Sequence, residues 1–312
     1  MSLSINTNTS AMVALETLNA TQTALSATEN AVSTGKKVAN ASDSPAAFGI
    51  ASQMNGNISG QSAVNDGLSF ASSVVSSTNS AANQILSVLA EVQAAVTTIG
   101  NNQGSSTSLA QINTEINGYL KQIDTIAQNA TTNGVNLLVS SSTKSLGITA
   151  ASLTYVTGLQ GSTAKIDNLF TAASVSGSTK TNTLSEMLGL AASDDGKGLA
   201  SSNSFLTSTG GISMGSGSSF NLTKAITAVQ DAITAMTNVT STLGQNTKNI
   251  ANMTTFGQTV SDNLTAGVGS LTDADMSAES AKLTSLQTKQ SLAIKSLSIA
   301  NGQSQNILSL FQ

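Results

Sequence analysis

The sequence contains no cysteine, no histidine and no tryptophan, and one proline among 312 residues. Arginine is absent as well, so all 12 basic side chains are lysines. Aromatic residues make up 3% of the chain and charged residues 9%. Each absence closes a class of chemistry. Without His or Cys, a structural zinc site of the usual nitrogen and sulfur ligands cannot form. The Ser-His-Asp triad, a thiolate nucleophile and the H-E-x-x-H helix are excluded for the same reason. The 16 carboxylates are scattered, with Asp194-Asp195 and Asp273-Ala274-Asp275 the only tight clusters, and these suit turns or helix caps. No catalytic residue, cofactor or metal is expected. A net charge of −4 without arginine argues against nucleic acid, whose backbone demands a basic stripe. The opening residues Met1-Ser2-Leu3-Ser4-Ile5-Asn6-Thr7 lack a basic segment followed by an apolar run, and no apolar stretch is long enough for a bilayer. Neither a signal peptide nor a membrane span is therefore expected.

What the chain does have is a spacing of three and four. One run reads Val64, Leu68, Ala71, Val75, Thr78, Ala82, Ile85, Leu89, Val92, Val96, Ile99, as a coiled-coil seam requires. A second reads Leu109, Ile112, Ile116, Tyr119, Ile123, Ile126, Ala130, and Gly100-Asn101-Asn102-Gln103-Gly104 between them suits a chain reversal. A third reads Leu222, Ala225, Val229, Ala232, Met236, Val239, Leu243, Asn246, Ile250, Met253, broken only by Asn246, a residue type that fixes register in such seams. At about 1.5 Å per residue, each longer run would reach roughly 50 Å. The expected fold is mainly α: an elongated coiled-coil bundle built from both ends of the chain. Its expected core includes Leu68, Val75, Ile85, Leu89, Ile112, Ile116, Val229 and Met236.

Both ends carry weaker stripes. Leu18, Leu25 and Val32 recur every seven residues, and Leu283, Leu286, Ala293, Leu297, Ala300 and Ile307 line one face near the other terminus. Such stripes bury too little apolar area to order a chain alone, so both ends are expected to fold only against partners. Leu18, Leu25, Val32, Leu286, Leu297 and Leu310 are the candidate assembly residues. Ser44-Pro45 is a helix start, and Asp273 and Asp275 sit where a last helix would begin, complementing its dipole. Between Ser140 and Asn221, Ser, Thr and Gly dominate and the helical period fades, which suits loops and short strands in a small inserted domain.

At both ends the residues resemble a known family. Ile5-Asn6-Thr7-Asn8 with Ala14-Leu15 and Leu18 resembles the opening of bacterial flagellins. Gly35-Lys36-Lys37-Val38-Ala39-Asn40-Ala41-Ser42-Asp43 is similar to the flagellin stretch joining its first two helices. Asn65-Asp66-Gly67-Leu68-Ser69, Asn133-Gly134-Val135-Asn136-Leu137-Leu138, Leu243-Gly244-Gln245-Asn246, Asp273-Ala274-Asp275, Ala300-Asn301 and Leu308-Ser309-Leu310 continue the match in order. The central segment matches nothing recognisable.

The resemblance implies a subunit of the flagellar filament, outside the cell. It divides the chain into an inner-tube helix (1–43), half of an outer-tube bundle (44–140), an outward variable domain (141–221), the other half of the bundle (222–270) and a second inner-tube helix (271–312). It implies self-association into a homopolymer, flagellar junction and cap proteins as partners, and export through the flagellar type III apparatus with a cytoplasmic chaperone. O-linked glycans on the Ser/Thr-rich centre are a further implication. Flagellins detected by the vertebrate innate receptor carry basic residues on the first long helix. Aligned back from Glu115-Ile116, the matching positions here hold Glu91 and Gln93, which implies weak receptor activation. A hook–filament junction protein shares the terminal regions but forms no long filament, and is the alternative. A secreted coiled-coil adhesin would leave the paired end motifs without a reason.

Overall fold

The computed structural model describes residues 8–102, 105–139, 147–170, 183–191 and 222–308. Among the described residues, six helices and one hairpin follow in order: α1 (Thr9–Thr34), α2 (Pro45–Asn101), α3 (Ser106–Asn129), β1 (Leu153–Val156), β2 (Thr163–Ile166), α4 (Leu184–Met187), α5 (Leu222–Thr272) and α6 (Met276–Leu308). They form two compact units, Met1–Ser59 with Val260–Gln312, and Gly60–Thr259. No helix among the described residues is long and apolar enough to cross a membrane.

The helices begin where the local chemistry allows. Asn8 caps α1, its side chain accepting from the Ala11 N–H at 3.1 Å. Gly35 closes the same helix in the left-handed region at φ 69°, where a Cβ would be strained. α2 begins at Pro45, whose missing N–H costs nothing in a first turn, with the Phe48 N–H on the Ser44 carbonyl at 2.9 Å. Ser105 accepts from the Ser108 N–H and starts α3. So few charges leave the exposed faces with hydroxyls instead. Many of these fold back onto the carbonyl one turn earlier, as Thr17 does on Val13, Thr234 on Gln230 and Thr255 on Ala251.

In the Gly60–Thr259 unit, every position of the first run is buried, including Thr78, whose hydroxyl donates to the Val74 carbonyl at 2.8 Å. α2 also buries a parallel row, Val74, Ala81, Val88 and Ala95. A helix with two buried rows has more than one neighbour, and α3 and α5 both contribute to the same core cluster. Leu68, Val75, Ile85, Leu89, Ile112, Ile116, Val229 and Met236 all lie in that cluster.

α3 differs from the spacing in two places. Leu120 and Ala127 are buried, whereas Tyr119 and Ile126 are half-buried at the edge. A step of three or four is equally helical. Here the phenol keeps its hydroxyl at the surface, donating to Glu115 Oε1 at 3.0 Å. On α5, Ala225, Val229, Ala232, Met236, Val239, Leu243 and Ile250 are buried, while Leu222, Asn246 and Met253 are half-buried. α2 and α5 approach closely where buried Gly257 faces Gln61 and Asn65, whose amides bond each other at 3.2 Å.

The described part of the central region packs onto this core. β1 and β2 pair antiparallel, Leu153 opposite Ile166 and Tyr155 opposite Ala164, and Leu153, Tyr155 and Ile166 join the helical cluster. Burial pushes the Tyr155 phenol above its ordinary pKa. Short α4 is tied to α3 by a buried carboxylate: Asp124 accepts from the Ser185 N–H and hydroxyl, both at 2.8 Å. Two charge-assisted bonds offset part of the cost of burying that side chain.

Candidate assembly surface on the terminal helices

α1 and α6 pack against each other antiparallel, fixed by bonds at both ends. At one end Asn8 Nδ2 donates to the Ala300 carbonyl at 2.9 Å. At the other, the Ala274 N–H donates to the Gly35 carbonyl at 2.9 Å.

That second end is a backbone clasp. The N–H groups of Lys37 and Val38 both donate to the Thr272 carbonyl, at 2.8 and 3.2 Å, and Lys36 bridges Asp273. Lys37 Nζ reaches the Ser270 carbonyl at 3.1 Å, so a cation meets the unsatisfied carbonyls of the α5 C-terminus. Asp275 accepts from the N–H groups of Ser277 and Ala278 and caps α6. Asp43 folds the strap by accepting from the N–H groups of Ala39 and Asn40. Two motifs far apart in sequence, Gly35–Asp43 and Asp273–Asp275, are thus joined through main-chain bonds.

Between these ends little is buried. Among the described side chains of α1 and α6, Leu25, Thr28 and Leu286 are deeply buried, and the Thr28 hydroxyl finds no partner. Leu18, Val32 and Leu297 are half-buried, while Leu310 lies outside the described residues. The stripes Leu18, Leu25, Val32 and Leu286, Leu297 therefore run along the partly covered face where the two helices meet.

The apolar surface left open lies elsewhere. Met12 is 63% exposed and Val13 62% on α1; Leu292 is 60%, Ile294 53% and Ile299 71% exposed on α6. The Asn8–Ala300 bond sets the register, so Met12, Val13 and Leu15 stand at the level of α6 residues near 293–296. These residues crowd one end of the pair. A shallow groove of about 370 Å³ lies beside them, lined by small residues such as Ala14, Thr17, Ala293 and Ser296, with Lys289 at its edge. The periodic reading misses these residues, because Met12, Val13, Leu15, Leu292, Ile294 and Ile299 lie off the stripes it follows. Their signal is the opposite one: large apolar side chains at positions the period assigns to water.

Glu91 is exposed and Gln93 half-buried on α2. The Tyr119 phenol nearby is raised above its ordinary pKa, first by its bond to Glu115, then by burial and by the charges of Glu115 and Glu91.

Residues 5–143 match the family model for the bacterial flagellin N-terminal helical region, and residues 226–311 the model for its C-terminal helical region. The chain is 31% identical to Flagellin FljK of Caulobacter vibrioides over 309 residues, covering 99% of this chain and 98% of that protein. The chain belongs to the bacterial flagellin family. Flagellin of Brucella melitensis is 31% identical over 310 residues, covering 99% of each chain. Flagellin C of Rhizobium meliloti is 32% identical over 323 residues, again covering 99% of each. Flagellins are structural proteins, and in this member the helices of both matched regions are the ones that form the clasp and carry the open apolar surface.

Proposed function

We propose that this chain is the structural subunit of a bacterial flagellar filament, and that copies of it join through the terminal helices. The observation that carries the assembly reading is the apolar surface at one end of the α1–α6 pair. Two helices that bury so little between themselves, yet expose Met12, Val13, Leu292, Ile294 and Ile299, leave stabilisation to be gained from neighbours. Each of these side chains, already partly covered, contributes about 1–2 kcal/mol when a neighbouring copy completes its burial. Part of that gain goes to ordering the helices, which keeps the monomer soluble until copies meet.

In this reading residues 1–43 and 271–312 form an inner layer, 44–140 with 222–270 an outer layer, and 141–221 a variable domain. Leu18, Leu25, Val32, Leu286 and Leu297 hold the terminal pair together, and the open residues join one copy to the next. The chain catalyses nothing and takes no cofactor. Its other partners are the flagellar junction and cap proteins, the export apparatus and its chaperone, with O-glycans on the central hydroxyls.

Electron microscopy of the purified chain, after adding short filament seeds or a precipitating salt, is expected to show long, uniform tubes. Persistent monomers with both termini intact would overturn the reading in favour of the junction protein.

The same assignment bears on recognition by a host. Glu91 places a negative charge on the exposed face of α2 where receptor-activating relatives carry a basic residue, and Gln93 removes a second. Receptor reporter cells are expected to respond weakly or not at all. A full-strength response at ordinary flagellin doses would refute the role given to Glu91 and Gln93.

A further inference from the structure

The methionines of the described residues differ sharply in exposure. Met236 is fully buried in the helical core, Met54, Met187 and Met253 are half-buried, and Met276 is 43% exposed. Met12, at 63%, is the most exposed and the one set among other open apolar side chains, with Val13 and Leu15 beside it. Met276 sits at the opposite end of α6, near Asp275, Glu279 and Lys282, whose charges suit water. Thioether oxidation follows accessibility, and the product is polar and chiral where the reactant was apolar and flexible.

We propose that Met12 is a peroxide-reactive site whose oxidation blocks assembly, an inference that rests on the filament-subunit reading. A sulfur lone pair attacks one oxygen of a hydrogen peroxide, the O–O bond breaks, and the second oxygen leaves as water after proton transfer. The sulfur loses two electrons and the peroxide gains them. The resulting sulfoxide places a strong acceptor on the open apolar surface that Met12 forms with Val13 and Leu15. A neighbouring copy that covers this surface must then desolvate the S=O group without a donor from any of those side chains. In the assembled state the same covering shields Met12, so the monomer is the vulnerable form. A peroxide burst would stop growth while leaving existing filament untouched at this position.

The test compares free chain and seeded filaments under the same dose of hydrogen peroxide, with each methionine followed by peptide mass spectrometry. Met12 is expected to oxidise at least about tenfold faster than Met236 in the free chain, and at least about tenfold slower in the filament than in the free chain. Oxidised chain is expected to need at least about tenfold more protein to elongate seeds than untreated chain, and Met12→Leu, whatever its own starting rate, to elongate at the same rate before and after peroxide. Equal Met12 reactivity in chain and filament overturns the proposal, as does elongation by Met12→Leu that remains peroxide-sensitive. The footprint on the unaltered chain decides the matter even where the variant assembles poorly. Untreated chain that never elongates seeds would instead bring down the filament reading itself.

Discussion

A chain lacking residues 294–312 is expected to stay soluble and folded and to form no filament. The helical core cluster spans Val64 to Ile250 and, among the described residues, takes none from the deleted segment, so its packing is expected to be unaffected. What goes is Ile294 and Ile299 from the open surface, Leu297 and Ala300 from the shared face, and the bond from Asn8 to the Ala300 carbonyl. Each subunit in a filament repeats the same contacts, so a loss per copy multiplies directly into the concentration needed for growth. A surgical version leaves the α1–α6 pair intact and replaces Leu292, Ile294 and Ile299 by Ser. At about 1–2 kcal/mol each, the three changes raise the critical concentration roughly a hundred- to ten-thousand-fold. Circular dichroism should show an unchanged melting transition for the core, while seeded elongation fails. Filaments from the truncated chain, or from the triple variant at ordinary concentration, would sink the assignment of this surface to assembly.

The helical core was open to reading because α2 spends its apolar residues on a strict repeat. Val64 through Ile99 are buried at every step the spacing names. The second row, Val74, Ala81, Val88 and Ala95, escapes a seam search because a seam assumes one partner, and α2 has two. On α3 the spacing allows either Tyr119 or Leu120. Size alone favours the tyrosine, while its hydroxyl decides for the surface. The terminal helices invert the problem. A periodic stripe marks the face a helix lays along its own partner, so Leu25 and Leu286 point to the α1–α6 pairing. Met12, Leu292, Ile294 and Ile299 lie off those stripes, so a search that follows each helix's covered face passes over them. Asp124 was beyond reach for a different reason. A carboxylate between Ile123 and Thr125 looks like an ordinary exposed charge until α4 supplies the Ser185 N–H and hydroxyl.

Replacing Asn136 by Ala should be the most damaging single change in the helical core. The preceding Asn133-Gly134 pair adopts positive φ at both residues, 48° and 81°, and Thr132 and Val135 exchange both main-chain bonds across it at 3.0 Å. This tight turn reverses the chain after α3, as such a pair of residues favours. It delivers Asn136 with no exposure at all to the end of that helix. Its Nδ2 donates to the Ala127 carbonyl at 2.7 Å and to Thr131 Oγ1 at 3.1 Å, satisfying a carbonyl that a helix C-terminus leaves open. Its Oδ1 accepts from the N–H groups of Leu138 and Val139, at 2.9 and 3.0 Å, and so aims Leu137, Leu138 and Val139 into the core. Alanine leaves two buried N–H groups and one buried carbonyl without partners, each costing about 1–3 kcal/mol where water cannot enter. A loss of about 3–5 kcal/mol lowers the melting temperature by roughly 6–20 °C for a unit of this size. Thermal unfolding followed by circular dichroism reads it directly. A change under about 1 kcal/mol would mean that water takes over the amide's bonds, and that the turn rather than the side chain holds the end of α3 in place.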